Sequence, residues 1–233
     1  IAASMAYGVD AHSIDGEWLV FDFGGGTFDV ALMKANEGIM KVGDTEGDNH
    51  LGGKNLDLAI VDEIIMPYLE ENYSIANILF NDERKGLLRN AVKRIAEELK
   101  INLSLAEKKH YDILTEEPIG EDDEGKDIEI DLSVTKEQYE DVVKPIFQRA
   151  IDISQKLLKN NNLLGSNLST ILLIGGPTFS ETLRNMIRSQ ITDKVDISID
   201  PMIAVAQGAA LYASTKDIPD DIREIDKSKI QLK

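Results

Sequence analysis

The stretch VFDFGGGTFDVALMK, from Val20 to Lys34, places three consecutive glycines between two apolar runs. One aspartate stands close to the glycines on each side, Asp22 before them and Asp29 after them. In the second run every other residue from Phe28 to Leu32 is apolar, which is the alternation of a half-buried strand. The stretch therefore predicts a β-hairpin with residues 24–27 at its tip.

The chemistry of this tip has two interpretations. Glycines leave backbone N–H groups accessible to an anion, so the tip could cradle a phosphate, with Asp22 and Asp29 placed for a cation. It could equally be an ordinary tight turn. It is not a Walker A loop, because no Lys-Ser or Lys-Thr follows the glycines and the next element is a strand, and it does not match Gly-x-Gly-x-x-Gly.

A second glycine pair follows another apolar run in ILLIGGPTFSETL, residues 171–183. Here a buried strand is predicted to end at Gly175 and Gly176 and to lead into a helix whose N-terminus can face a ligand. An ordinary strand-to-helix connection has the same pattern. Two glycine-terminated strands in one α/β core nevertheless suggest a nucleotide held between them.

Helical spacing of apolar residues predicts one helix over residues 55–73 and a second over residues 82–103. The second helix carries a polar stripe at i, i+3, i+4 and i+7, formed by Glu97, Lys100, Ile101 and Ser104. Such a stripe is usually a solvated face, and its spacing alone says nothing more.

Residues 110–134 change to strand-like period around the acidic tip GEDDEGK, which we expect to be a solvated loop. The tip lacks the ligand order of a calcium loop. Thr135 and Gln138 predict a capping box that opens a helix, and Pro145 predicts that this helix stops and a second one restarts. Asp200 is the predicted N-cap of a final helix.

These elements predict an α/β core formed by residues 12–51 and 130–215, with a smaller α+β subdomain, residues 52–129, inserted between them. Residues 216–233 are charged and are expected to be a linker or the start of a next segment. The chain begins within IAASMAYGVD, which has the pattern of a helix end, so we expect a piece of a longer protein.

The composition restricts the partners. The 233 residues are 42% hydrophobic, enough for a sizeable core, and their net charge of −17 repels nucleic acids and anionic membranes. An anionic ligand would have to be held by backbone N–H groups and a metal ion. There is no cysteine and no apolar stretch long enough to span a bilayer, and we expect a cytoplasmic protein.

The sequence resembles the ATPase domain of the DnaK-type, 70-kDa heat-shock chaperones, within the actin-like (ribonuclease H-like) fold group. The matching segments occur in the order and spacing of that family across nearly the whole chain: AYGVD, VFDFGGGTFDVAL, GDNHLGG, AEELKINLS, VTKEQYEDVV, ILLIGGPT and DPMIAVAQGAAL. The resemblance implies the second lobe of the nucleotide-binding domain, with ATP or ADP, Mg²⁺ and a possible K⁺ as ligands.

The resemblance also implies roles for particular residues. Asp22 and Thr27 would take part in hydrolysis, with Asp22 and Asp29 near the magnesium water shell and a potassium site. The residues implied to contact the nucleotide are Gly24, Gly25, Gly26, Thr27 and Gly53 around the phosphates, Gly175 and Gly176 near the α phosphate and ribose, and Glu97, Lys100, Ile101, Ser104 and Phe179 around the ribose and base.

This sequence departs from the family pattern mainly on the base side. Lys54 stands where the family usually has glutamate, Pro177 where it has a small polar residue, and Phe179 where it has arginine against the purine. Met202 and Ile203 replace an Asp-Glu pair. A stack of Phe179 on adenine could replace the arginine stack, since an aromatic ring suits a purine, and an altered nucleotide preference is expected.

The family's first lobe, which supplies a second phosphate loop, a lysine and further carboxylates, has no counterpart in these residues. We therefore expect this chain alone to bind ATP weakly and to hydrolyse it negligibly. The full-length protein would be a chaperone ATPase with client peptides, a J-domain co-chaperone and a nucleotide exchange factor as partners. The alternatives are a chaperone-like scaffold or exchange-factor relative that does not hydrolyse ATP, and a small-molecule kinase of the same fold group.

Overall fold

The computed structural model describes residues 16–36, 39–198 and 200–214. The predicted helix end at residues 1–10 and the predicted linker at residues 216–233 lie outside these ranges. Within them the strands are β1 (Gly16–Phe23), β2 (Phe28–Asn36), β3 (Ile39–Asp48), β4 (His110–Leu114), β5 (Asp131–Thr135), β6 (Ile171–Ile174) and β7 (Val195–Asp196).

The helices in the same ranges are α1 (Gly53–Ile60), α2 (Met66–Asn72), α3 (Ala76–Phe80), α4 (Asp82–Ser104), α5 (Lys136–Asn160), α6 (Glu181–Gln190) and α7 (Ala204–Ser214). A π-helical turn, Val61–Ile65, joins α1 to α2, and short 3₁₀ turns occupy Gly165–Asn167 and Gly176–Phe179. None of the helices in the described part of the chain is both long and apolar enough to cross a membrane.

The main sheet has the strand order β3-β2-β1-β6-β7. Strands β1, β2 and β3 form an antiparallel meander, while β6 runs parallel to β1 and β7 runs parallel to β6. The predicted hairpin is confirmed: Phe23 pairs with Phe28 and Asp22 with Asp29 across residues 24–27. Because β1 and β6 are parallel neighbours, the chain leaves both strands at the same edge of the sheet, where both glycine motifs lie.

Apolar side chains cover both faces of this sheet. On one face Phe21, Phe23 and Phe28 form an aromatic cluster with Phe147 of α5, with ring centroids 4.7–6.4 Å apart. On the other face buried residues of β1, β2 and β6, Trp18 among them, pack with Ala204 of α7. A mixed sheet between helices confirms the predicted α/β class.

The two long predicted helices are confirmed. The first is continuous from α1 through the π turn to α2. The π turn adds one extra backbone residue to the helix, which apolar spacing does not reveal. The second is α4, whose buried side includes the predicted Leu88, Val92 and Leu99, with Ile95 partly buried. Because α1 packs on both α4 and α5, it connects the glycine tip with the polar stripe of α4.

The segment between α4 and α5 forms the predicted strand pair, with His110 opposite Thr135. The expectation of a solvated tip is wrong for Asp122, which is only 6% exposed. Its carboxylate accepts hydrogen bonds from the backbone N–H groups of Ser74, Glu124 and Lys126 at 2.9–3.2 Å. The acidic tip is therefore fastened to the loop that precedes α3.

Helix α5 confirms the capping box, since Thr135 and Gln138 exchange hydrogen bonds between side chain and backbone. The predicted break at Pro145 is wrong, because α5 continues without interruption from Lys136 to Asn160. Pro145 lies on the exposed side of the helix, and so does Asp141, whose carbonyl loses its usual N–H donor. On this side, solvent can hydrogen-bond to the Asp141 carbonyl, and the exposed proline ring has room.

The final predicted helix begins later than expected, at Ala204. Asp200 still caps this region: its carboxylate accepts from the Met202 N–H at 2.9 Å, and its carbonyl accepts from the Ala204 N–H at 3.1 Å. The boundaries of the inserted subdomain stay a prediction, and one continuous apolar cluster extends from the sheet to α4.

Candidate functional site

The glycine tip is fastened to the start of α1. Inside the tip the Gly24 N–H donates to the Thr27 carbonyl at 2.9 Å, which closes the turn. The N–H groups of Gly53 and Lys54 then donate to the carbonyls of Gly24 and Gly25 at 2.9 and 2.8 Å. The tip is therefore held in place through its carbonyl groups, and its other face is left open.

Three N–H groups of the tip, those of Gly25, Gly26 and Thr27, have no hydrogen-bond partner among the described residues. A Cβ placed on Gly25 or Gly26 would meet no atom within 4 Å. Free donors beside open space are what an anion requires, so these two glycines carry the cradle interpretation. The N–H of Gly24, in contrast, already donates to the Thr27 carbonyl within the turn.

Gly175 brings the second glycine motif against the first. Its φ of +89° lies in the region that favours glycine, and a Cβ here would lie 2.1 Å from the carbonyl oxygen of Phe23, at the end of β1. Gly176 then begins the 3₁₀ turn that leads to Phe179, and α6 starts only at Glu181. A four-residue turn thus lies between Gly175 and the predicted helix, which is confirmed from Glu181 to Gln190.

A cavity of about 590 Å³ lies between these elements and α4. Many of the predicted nucleotide contacts line it together, although they come from separate parts of the chain: Gly25, Gly53, Glu97, Lys100, Ile101, Ser104, Gly176 and Phe179. Other predicted residues, namely Asp22, Gly24, Gly26, Thr27, Asp29 and Gly175, are not part of this wall and lie in or beside the two glycine motifs.

The sequence did not identify the floor of the cavity. The residues missed are Leu56, Asp57, Leu105, Tyr139, Phe147 and Ser180. A signal for Asp57 was present, because the apolar stripe Val61, Ile65 and Leu69 extends back to it at four-residue spacing. An acidic residue on a buried helical stripe indicates a buried polar contact.

That contact is an ion pair with Lys100. The Lys100 ammonium lies 2.6 Å from Oδ1 of Asp57, without the angles of a hydrogen bond, and Asp57 is only 5% exposed. Pairing allows a carboxylate to be buried at this depth. It also holds the Lys100 side chain against the cavity floor. Burial also raises the pKa of the Tyr139 hydroxyl, while the Ser180 side chain acts in the opposite direction and lowers it.

The aspartates at the base of the tip face each other across the hairpin. Asp22 and Asp29 are a direct cross-strand pair, and such pairs project their side chains on the same face. Burial raises the pKa of Asp22, and the negative charge of Asp29 raises it further. Two carboxylates at one place fit a hard cation such as Mg²⁺, which prefers oxygen ligands.

The protein alone does not complete such a cation site. In the described ranges no group of three or more His, Cys, Asp or Glu side chains is close enough to hold a metal. Mg²⁺ usually keeps several waters and binds through one or two carboxylates plus substrate phosphates. Two carboxylates such as Asp22 and Asp29 are compatible with this partial role, and further oxygen ligands would have to come from outside this pair.

Comparison with known proteins gives a consistent result across the whole chain. The family model for the Hsp70 protein matches residues 1–226. The chain is 31% identical over 233 residues to the chaperone protein DnaK of Nitrosopumilus maritimus (strain SCM1) and 32% identical to that of Cenarchaeum symbiosum (strain A). These alignments cover 99% of this chain and 35% and 34% of the relatives, so the chain spans about a third of their length.

Proposed function

The chain belongs to the Hsp70 family, and from this membership and the geometry of the cavity we propose that it is the second lobe of the nucleotide-binding domain of a DnaK-like chaperone. Its ligand is Mg-ATP or Mg-ADP. One observation carries the proposal: the glycine tip, the turn after β6 and the stripe of α4 line a single cavity of about 590 Å³. That volume is typical of a small-molecule site.

The phosphates belong at the glycine tip. Gly25 and Gly26 offer free N–H groups, and the start of α1 adds the positive end of a helix dipole beside them. Thr27 follows directly and places a hydroxyl at the same edge. Lys54 is exposed and also lines the cavity, so it adds a positive charge where the net charge of the chain is strongly negative.

The cation belongs at Asp22 and Asp29. Bound Mg²⁺ would neutralise phosphate charge and orient a water. The residues of this chain contribute the two carboxylates, and Asp22 is the more buried of the pair. We assign to Asp22 the role of organising the metal ion and the water that attacks the γ phosphate. To Asp29 we assign the role of helping to hold a monovalent cation.

The nucleoside belongs between α4 and the turn after β6. Glu97 and Lys100 are placed for the ribose, and Ile101 and Phe179 offer apolar surfaces in the same cavity for a flat base. Ser104 donates its hydroxyl proton to the Ile101 carbonyl at 2.8 Å, so it presents only lone pairs to the cavity. An acceptor at this place favours the exocyclic amine of adenine over the keto oxygen of guanine.

In the full-length protein, nucleotide state would be coupled through movement of the lobes to capture and release of client peptides. A J-domain co-chaperone and a nucleotide exchange factor are the partners that we propose, and the cytoplasm is the proposed location. Nucleic acid and membranes are not among the proposed partners, in keeping with the net charge of −17.

A second candidate is a chaperone relative that binds nucleotide without much hydrolysis. The observation that favours it is the position of the departures: Pro177, Phe179 and Met202 all line the cavity. A longer chain that includes the first lobe would decide between the two, by measuring ATP hydrolysis with and without Asp22→Ala. An ATPase activity that Asp22→Ala abolishes supports the first candidate, and binding without turnover supports the second.

The binding proposal is tested by calorimetric titration of this chain with Mg-ADP and Mg-pyrophosphate. We expect weak binding of both, because the first lobe is proposed to supply the other wall. Gly25→Val should weaken both ligands, since the side chain enters the open space at the tip. Gly86→Ala, in open space on α4 and outside the cavity wall, is the matched control and should bind like the parent chain.

Two results would count against the proposal. One is the absence of any Mg-ADP binding at millimolar concentration. The other is unchanged binding in Gly25→Val, which would place the ligand somewhere other than the glycine tip.

A further inference from the structure

Arg184 of α6 contacts the aromatic wall of the cavity from outside. Its guanidinium carbon lies 5.8 Å from the centroid of the Phe179 ring, within the range of a cation–π contact. Its Nε donates to the carbonyl of Thr178 at 2.8 Å. One side chain therefore holds both the ring and the backbone immediately before it.

The backbone beneath the ring is already rigid. Thr178 is fully buried, and both its hydroxyl and its N–H donate to the Gly175 carbonyl, at 2.7 and 3.1 Å. The Ser180 N–H donates to the Pro177 carbonyl at 3.1 Å. The Phe179 side chain lies outside this hydrogen-bond network and is 42% exposed.

The guanidinium contacts the Phe179 ring without belonging to the cavity lining. Phe179 itself is part of that lining. The wall formed by α4 carries Ile101, which also lines the cavity and is 56% exposed. A flat ligand between these two side chains would touch Ile101 on one face and Phe179 on the other, and Arg184 would hold the Phe179 ring in place.

We propose that Arg184 is a positioning residue for base binding: it holds the Phe179 ring in the orientation that stacks on a purine. This inference rests on the proposed function, because it needs the base to lie between Phe179 and Ile101. Its physical reason is that a half-exposed ring loses rotamer freedom when a ligand binds. A ring already held by a cation has less freedom to lose.

A purely structural role for Arg184 must be distinguished from this one. If the guanidinium only stabilised the turn, its loss would disturb every ligand of the neighbouring glycine motifs alike. If it positions Phe179, its loss weakens only ligands that carry a base. Mg-ADP and Mg-pyrophosphate separate the two roles, since both offer phosphates to the glycine tip and only one offers a base.

The experiment compares Arg184→Met, Phe179→Ala and the double variant by calorimetric titration with both ligands. We expect Arg184→Met to weaken Mg-ADP about 2- to 5-fold, the lower part of the range for ordering one side chain on binding, and to leave Mg-pyrophosphate unchanged. In the Phe179→Ala background the same substitution should have no further effect. Arg184→Lys, which keeps the charge, should retain part of the affinity.

Arg188→Met is the matched control. Arg188 is one turn further along α6 and pairs with Glu181 at 3.0 Å, so its removal also deletes a charge and a contact from this helix. It should bind Mg-ADP like the parent chain. Thermal unfolding checks that each variant is folded, and Arg184→Lys serves if Arg184→Met is not.

The inference is overturned by equal losses of Mg-ADP and Mg-pyrophosphate in the Arg184 variants, by unchanged Mg-ADP binding in them, or by additive losses in the double variant. An equal loss in Arg188→Met would overturn it too. These outcomes leave the proposed function standing. If the parent chain binds Mg-pyrophosphate but no Mg-ADP, or neither ligand, the proposed function fails and the inference fails with it.

Discussion

Replacing Gly52 with alanine would separate the glycine tip from α1. The new Cβ would lie 2.5 Å from the Cα and N atoms of Gly26 and 2.6 Å from its carbonyl carbon. Ordinary contacts between carbon atoms are about 3.5–4.0 Å. The tip or the helix must therefore retreat by about 1 Å, and no flexible side chain is available to absorb the movement, since the contacted atoms are backbone.

The size of the effect follows from what this movement breaks. Insertion of a methyl group into a well-packed place costs about 1–3 kcal/mol. A retreat of this size also breaks the bonds from Gly53 and Lys54 to the tip, each worth about 0.5–1.5 kcal/mol. We expect Gly52→Ala to lower the free energy of unfolding by about 2–6 kcal/mol.

Gly25→Ala is the matched comparison on the same tip. Its Cβ meets nothing within 4 Å, and its φ lies outside the left-handed region, so its effect on stability should stay below about 0.5 kcal/mol. Urea unfolding followed by circular dichroism measures both. With a slope of about 2–3 kcal/mol/M for a chain of this size, the midpoint of Gly52→Ala should fall by about 0.7–3 M.

The reasoning is refuted if Gly52→Ala unfolds at the midpoint of the parent chain, because the tip would then not be fastened to α1 as described. Equal destabilisation by Gly25→Ala would refute it as well, since that position has open space. A normal midpoint for Gly25→Val, measured in the same way, would show that its loss of binding arises from the ligand site and not from unfolding.

Three further changes have defined outcomes. Asp22→Asn should raise the melting temperature at pH 7 in metal-free buffer, because the raised pKa of Asp22 means that its ionised form opposes folding. The gain should vanish at acidic pH, where aspartate is protonated. A gain that persists at acidic pH would contradict this origin. Backbone N–H donors, of which that of Lys126 has the largest effect, lower the pKa of Asp122. Asp122→Asn should therefore lower the melting temperature at pH 7, and this deficit should shrink as the pH falls through the lowered pKa of Asp122. No deficit at pH 7 would mean that the acidic tip is not held by this carboxylate. Gly86→Ala, in the interior of α4 with open space around it, should stabilise the chain by about 0.5–1 kcal/mol in urea unfolding, and a loss of stability would indicate a contact at Gly86.

Local patterns in the sequence were sufficient for the elements that surround the site. Alternation identified the hairpin at Asp22 and Asp29, helical spacing identified α4 with its stripe at Glu97 and Lys100, and the capping box at Thr135 identified the start of α5. These predictions succeeded because each depends only on residues that lie close to one another in the sequence. The resemblance then related them to one ligand, which spacing alone could not do.

Where local rules failed, a tertiary environment outweighed them. Pro145 does not end α5, because it lies on the exposed side of a helix held along its other side by the core. Asp122 is not solvated, because it finds three N–H donors, one of them from Ser74, 48 residues earlier in the chain. A sequence pattern describes polarity and spacing but not which distant donors a side chain will meet.

The sequence by itself therefore determined the hairpin of β1 and β2, the two long helices, the start of α5, the two glycine motifs and the family of this protein, since all of these depend on the order of residues along the chain. Only the tertiary structure decided that Lys100 pairs with Asp57, that Tyr139 and Phe147 line the cavity, and that Arg184 contacts Phe179. The physical reason is that packing selects these partners: the directions in which α1, α5 and α6 meet the rest of the fold determine which side chains share the cavity.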